Sequence, residues 1–479
     1  MVRRPNDIGT PWSGRRQQSV ITGPYHSRRR GYTPQARRPC LTFSWSPSSE
    51  ALEAARPAAG AAGSDHDPRC TIHVVASPVP GPRATDHAFP APALCLRYTC
   101  RVGWVGFLLV GLKLGTVGFG GGLAVLSLIR REFVERRRVL DDAEFAEVAA
   151  MAQALPGAVS VNALTILGTR YGGWWSGFVA GWAFVWPSFL MMLTFAATYP
   201  AFRYLPMMDA ALVGMAAAVV ALVVGTAVDL ARAGSIRKRL DVIVAAGAFV
   251  LVALNWVGVL EAVLLAGLTG IFVQASDRRR WVAGVAPAWL LTALVRGASL
   301  GTIAALAGVF LRIGAATFGG GFVMIPFIEQ EVVLHHAWLA PREFSDAIAL
   351  GQITPGPVVI SATFIGYRVA GLLGATLATG MVFLPPGLLA MAAGRALGRF
   401  GKNQIVVGFL AGVRPAVVGL LASAALALGR SGLPNAAAWG LALAGILVLL
   451  RWRVHPLAVL LSSALLYAAL VHLPTLLVR

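Results

Sequence analysis

Residues 112–122 read LKLGTVGFGGG, and residues 311–321 read LRIGAATFGGG. The offset of 199 positions between them is kept well beyond the two glycine runs. It pairs Glu132 with Glu331, Phe145 with Phe344, Gln153 with Gln352, and Pro156–Gly157 with Pro355–Gly356. After one additional residue in the first copy, Gly168 aligns with Gly366, Arg170 with Arg368 and Pro187 with Pro385. A register held this long marks an internal duplication. The chain therefore divides into residues 1–100, a first repeat over 101–280 and a second over 281–479.

The repeats belong in a membrane. Of the 479 residues 57% are hydrophobic and only 13% charged, and mean hydropathy is +0.69, too apolar for a soluble chain of this size. Apolar runs long enough to cross a hydrocarbon layer of about 30 Å recur from about Val102 onward. The expected fold is an all-α polytopic membrane protein of two inverted homologous repeats containing broken or re-entrant helices. Its 53 glycines and 28 prolines suit helices that pack closely or break around a cavity.

Residues 1–100 are Arg- and Pro-rich without apolar periodicity and are expected to be a disordered tail, or to arise from a misplaced start codon. They lack the apolar segment of a secretory signal. All four cysteines (Cys40, Cys70, Cys95, Cys100) lie there, which leaves no thiol for a disulfide or metal within the repeats. The formal charge of +20 could suggest nucleic-acid binding. It is instead accounted for by this tail and by short basic loops that mark the cytoplasmic side.

Charge also orients the copies. The loop after the first FGGG carries Arg130, Arg131, Arg136, Arg137 and Arg138, whereas its counterpart has Arg342 beside Glu329, Glu331 and Glu343. The first is expected to be cytoplasmic and the second external, so the halves are inverted. The remaining basic loops (232–239, 278–280, 395–402, 451–453) fit the cytoplasm if the segments around Pro156 and Pro355 are re-entrant. This scheme puts residues 1–100 outside.

Inverted repeats with matching helix breaks are a transporter architecture, with substrate held near the midplane. Lys113 and Arg312 are each the sole charge of a 28-residue apolar stretch, 102–129 and 301–328. A cation at such depth costs about 2.5–3.5 kcal/mol on insertion scales, so it needs a polar surrounding and a partner. Snorkelling to an interface is the structural alternative to anion coordination. Six residues on, Gly120, Gly121 and Gly122, matched by Gly319, Gly320 and Gly321, offer unwound backbone whose N–H groups favour an oxyanion. Close helix packing is the other use of such glycines. The second break combines Gln153, Pro156 and Gly157 with Gln352, Pro355 and Gly356, because proline interrupts the helical bonding. The two glutamines, with Asn162 and Ser361, are candidate pathway hydrogen bonders or interhelical ties. Arg170 and Arg368 are interface anchors that can also funnel anions.

Glu132 and Glu331 are a matched pair suited to proton or counter-ion roles. Asp209, Asp229, Glu261 and Arg414 read as solvated groups near segment ends. His335 and His336 beside Glu329 lack a helical two-His spacing, so no metal is assigned, and no other cofactor. The partners expected are a tetrahedral oxyanion and the lipid bilayer, with no nucleic acid and no assigned oligomeric state.

With these residues in view, the chain resembles the chromate ion transporter family in its long form with two homologous halves. The resemblance spans about Gly103 to the C-terminus. It rests on residues 119–122, on Glu132, Phe133 and Val134 before a basic loop, on Leu155, Pro156 and Gly157, and on residues 318–321, 355–357 and 366–367. Many members carry Pro where this chain has Gly122 and Gly321, His where Val125 stands, and a second Pro at Ala158. The resemblance implies efflux of chromate from the bacterial cytoplasm across the plasma membrane, with sulfate as its near analogue. Moving one charge through 100 mV is worth about 2.3 kcal/mol, so exporting a dianion from a negative interior gains about 4.6 kcal/mol without a coupling ion. A membrane enzyme would need an acid, base or metal cluster at one face, and none is visible. A scaffold would not explain cations in mid-segment, while a channel would use the same broken helices.

Overall fold

The computed structural model describes residues 70–77, 93–100, 103–119, 121–274, 301–318, 320–395, 404–452 and 454–477. Most of the stretch expected to be a disordered tail, as well as Gly120, Gly319 and the basic residues 278–280, lies outside these. Within residues 1–100, Cys70–Ser77 (β1) and Ala93–Cys100 (β2) pair as a two-stranded sheet where no regular structure was expected. Thr71, Ile72, Val74 and Val75 favour extended backbone, and Leu94, Leu96 and Tyr98 alternate with the period of a strand.

Fifteen helices make up the described part of the two repeats. In the first half, α1 (Trp104–Val117), α2 (Gly121–Arg130), α3 (Asp142–Ala154) and α4 (Val159–Gly172) precede α5 (Trp174–Phe202), α6 (Pro206–Leu230), α7 (Arg239–Ala253) and α8 (Val259–Gln274). In the second, α9 (Thr302–Ala316), α10 (Met324–Glu329) and α11 (Pro341–Ile353) lead to α12 (Ser361–Arg395), α13 (Gln404–Gly432), α14 (Ala436–Trp452) and α15 (Pro456–Leu477). Ala370 and Gly371 break α12 into limbs α12a (361–369) and α12b (372–395). Gly371, at φ +58°, matches Gly173, at φ +89°, where α4 turns into α5. Side chains rarely tolerate that backbone region, so glycine makes the reversal possible in each copy.

Helix length separates crossing from re-entrant segments. At about 1.5 Å per residue, the 29 residues of α5 and 25 of α6 exceed the apolar thickness. The 14 residues of α1 and of α4 and the 13 of α3 reach only about two thirds of it. These short helices fold back in pairs. Phe107 stacks on Phe133 at 5.6 Å and Lys113 reaches Glu132 at 2.9 Å, so α1 and α2 form a hairpin that turns after Gly118. An Asp141–Glu144 capping box opens α3. Arg170 lies 3.7 Å from Glu144 and Asn162 donates to the Pro156 carbonyl at 2.8 Å, making α3 and α4 a second hairpin closed at Pro156–Gly157. The second half repeats both.

The FGGG stretches therefore turn back as well as the Pro-Gly segments, although each lies in an apolar run of crossing length. One consequence concerns Trp104, which opens α1 at the same end of the molecule as the Arg130–Arg138 loop. The start of the first repeat thus shares a face with that basic loop and is not on the opposite side.

Contacts also establish the inversion. Gly168 abuts Ser176 and Gly181 faces Thr165, so α4 and α5 are antiparallel. Along α5, Ser188 donates to the Pro355 carbonyl, and further on Tyr199 meets Phe364 at 5.1 Å and Arg368 at 5.9 Å, so α5 and α12a are parallel. The equivalent helices α4 and α12a consequently run in opposite directions. The remaining helices are exchanged between halves: α7 and α8 pack on α13, while α14 and α15 pack on α6.

Candidate functional site

The four hairpin tips converge at the junction of the halves. Gly157 N–H donates to the Thr317 carbonyl at 2.6 Å, and Gly356 N–H donates to the Gly118 carbonyl at 2.9 Å. These bonds are equivalent, each Pro-Gly tip capping the last turn of the other half's first helix. Gly157 and Gly356 have φ of +98° and +115°. A β-carbon would strike Pro386 at the first and Ser188 at the second, again equivalent positions. Pro156–Gly157 and Pro355–Gly356 thus both lie at the junction of the halves.

Every descending arm begins at a tip. The N-terminus of α2 at Gly121 lies beside that of α4, Gly122 abutting Val159, and Gly321 likewise abuts Val358 in the second half. Free N–H groups and the positive ends of helix dipoles are therefore directed at one central region. Gly121 and Gly122 occupy the first turn of α2, and the break falls just before them. Gly320 takes φ +114° and Gly321 opens a short 3-10 turn. Two buried amide atoms at the tips lack partners among the described residues: Gln352 Nε2 and Asn162 Oδ1. An unmet buried donor is costly unless a ligand or water meets it.

Lys113 and Arg312 stand one and a half turns before the tips, each facing a glutamate of its own hairpin. Glu132 accepts from Lys113 at 2.9 Å, Arg136 at 3.1 Å and Arg137 at 2.9 Å. Glu331 has Arg312 at 3.7 Å and His335 and His336 each at 3.8 Å. Glu132 and Glu331 are 6% and 9% exposed, so the matched pair is buried. The two histidines face Glu331 and replace the two arginines of the first half.

The outer ends of the hairpins differ. At the second, Tyr199 is buried and donates to Asp346 at 2.6 Å, while Arg342 spans Asp209 at 3.0 Å and Asp346 at 3.5 Å, and Arg368 bonds Glu343 at 2.5 Å. At the first, a cavity of about 530 Å³ is lined by Thr169, Arg170, Tyr171 and Arg395 with neighbouring glycines. Along α11, Ser345, Asp346 and Ala349 are buried, but the equivalent stripe of α3 (Ala146, Glu147, Ala150), with Gln153, is exposed. Among the described residues, the second hairpin's outer end is packed while the matching stripe at the first is exposed. Sequence reasoning missed this asymmetry and the Tyr199–Asp346 pair. Only the replacement of small residues (Ala393, Gly394) by Phe195 and Ala196 at equivalent places hints at it.

Residues 105–271 and 304–468 each match the Chromate transporter family. The chain is 31% identical over 357 residues to a chromate transport protein of Cupriavidus metallidurans, covering 71% of this chain and 86% of that protein. It is 32% identical over 332 residues to a probable chromate transport protein of Synechococcus elongatus, covering 67% and 84%. An uncharacterized transporter of Bacillus subtilis matches at 30% over 159 residues, 32% of this chain but 88% of its own length, about one repeat. No solved structure matches the chain. The doubled family match, the multi-pass apolar helices and the inverted pairs agree: this chain belongs to the chromate transporter family, in the form that carries two homologous halves.

Proposed function

We propose that the protein exports chromate, a tetrahedral divalent oxyanion, from the bacterial cytoplasm across the plasma membrane, and that the meeting point of the four hairpin tips is its binding site. The observation that carries this reading is the convergence of helix N-termini, with unencumbered glycine backbone and the unpaired Gln352 amide, at the junction of inverted repeats. At the tips Gly121, Gly122, Gly320 and Gly321 supply N–H groups, and Gln153 and Gln352 supply amides; Gly120 and Gly319, assigned to the same site from the sequence, lie outside the described residues. Lys113 and Arg312, with Glu132 and Glu331 taking up their charge, add field rather than direct ligation.

Basic residues at the exposed end, including Arg136, Arg232, Lys238 and Arg451, support a cytoplasmic position for it under the positive-inside bias. A packed outer end opposite an open inner one suits a carrier more than a continuous pore. Radiolabelled chromate efflux from cells with and without the gene tests the reading. Faster loss with the gene, slowed by sulfate, is expected; equal loss rates would sink it.

A further inference from the structure

The cavity at the outer end of the first half's second hairpin holds two guanidinium groups, from Arg170 near the end of α4 and Arg395 at the end of α12b. Among the described residues Arg170 has Glu144 at 3.7 Å and Glu147 at 4.0 Å, while Arg395 has no carboxylate partner and lies over the Trp174 ring at 4.7 Å. Gly394 brings the two helices close, since a β-carbon there would press on Ile166 and Thr169. Two like charges thus share about 530 Å³, an arrangement that an anion between them would relieve. The second half has no such pair, because Arg368 bonds Glu343 and Ala197 stands at the place equivalent to Arg395.

A shallow apolar groove continues from this cavity between α5 and α12b. On three helices the groove residues lie one turn from the cavity: Thr165 before Thr169 on α4, Met391 before Arg395 on α12b, and Phe178 after Trp174 on α5. The groove has room along its floor, since a β-carbon on Gly387 would meet nothing within 4 Å. Its rim faces outward, with Phe178 and Leu388 41% and 52% exposed. At the level of the cavity Trp174 and Trp175 are exposed too, as aromatic rings are where a membrane helix meets the headgroups. Ion pairs from Arg130 to Asp142 and from Arg170 to Glu144 put the cavity at the same end as the Arg130–Arg138 loop.

We infer that cavity and groove together bind an anionic phospholipid, its phosphate between Arg170 and Arg395 and one acyl chain along α5 and α12b. A guanidinium donates to a phosphate bidentately, and basic recesses between membrane helices favour such headgroups. A free oxyanion would fill the cavity and leave the groove bare. A zwitterionic lipid would fill the groove but bring a further cation to the two arginines. Because α5 belongs to the first half and α12b to the second, the bound lipid bridges the halves.

Binding of phosphatidylglycerol and of phosphatidylcholine with the same acyl chains to the delipidated full chain in detergent, read by native mass spectrometry, tests this. Phosphatidylglycerol is expected to bind about tenfold more tightly. Arg395→Gln should remove most of that preference and Arg395→Lys should keep part of it; the side chain is exposed, so its loss leaves the packing intact. Gly387→Leu, which fills the groove without touching either arginine, should weaken both lipids several-fold. Equal binding of the two lipids, a preference unchanged in Arg395→Gln, or full lipid binding by Gly387→Leu overturns the inference. Radiolabelled sulfate separates the free anion from the lipid. Arg395-dependent sulfate binding, with lipid binding insensitive to both variants, would assign the cavity to a small oxyanion and overturn the lipid site.

Discussion

Lys113 and Arg312 occupy equivalent positions yet do unequal work. Without Lys113, Glu132 keeps two arginines; without Arg312, Glu331 keeps only two histidines at 3.8 Å. Removing one partner of a buried pair leaves an uncompensated carboxylate at a cost of about 3 kcal/mol. Lys113 is 48% exposed, so its own loss is discounted to about 1 kcal/mol or less. In a melting experiment in detergent, Arg312→Gln should lower Tm by several degrees and Lys113→Gln by little. Adding Glu331→Gln to Arg312→Gln should restore most of the loss. Equal shifts for the two single variants would show that the histidines serve as well as the arginines.

Among the elements, the hairpins decide the architecture, and their tips tolerate little change. Ala at Gly157 or Gly356 would be strained by φ and would meet Pro386 or Ser188, a cost of about 1–3 kcal/mol each. Both Gly157→Ala and Gly356→Ala are expected to reduce transport well beyond any fall in membrane abundance, measured by efflux normalised to protein. Normal transport by either would mean the tips do not form the site. Much of this was legible in the sequence: the breaks at FGGG and Pro-Gly, the paired helices and the matched charges all show as repeated residues. The fold-back at FGGG was not, because an apolar run of 28 residues has the length of a crossing and only the pairings of Lys113 with Glu132 and Phe107 with Phe133 reveal the reversal. Nor was the Tyr199–Asp346 contact, which joins α5 of one half to α11 of the other. No local pattern encodes a partner 147 positions away.

For the molecule as a whole, inversion makes a direct prediction. With the native cysteines replaced, Arg136→Cys and Ala337→Cys should react with a membrane-impermeant thiol reagent from opposite sides, and labelling from one side would refute the topology. Inversion also explains why one sequence plan can serve both faces, since a conformation with one end shut and the other open has a partner of similar contacts related by the pseudo-two-fold axis. The exchange of helices has a further consequence. Because α7 and α8 complete α13, α14 and α15 complete α6, and each Pro-Gly tip caps a helix of the opposite half, part of each half's core is supplied by the other. The two repeats are one cooperative folding unit. A fragment ending after α8 would present bare apolar faces and unmet backbone groups until it found its antiparallel complement, so the duplicated chain guarantees one-to-one stoichiometry and opposed orientation by covalent linkage.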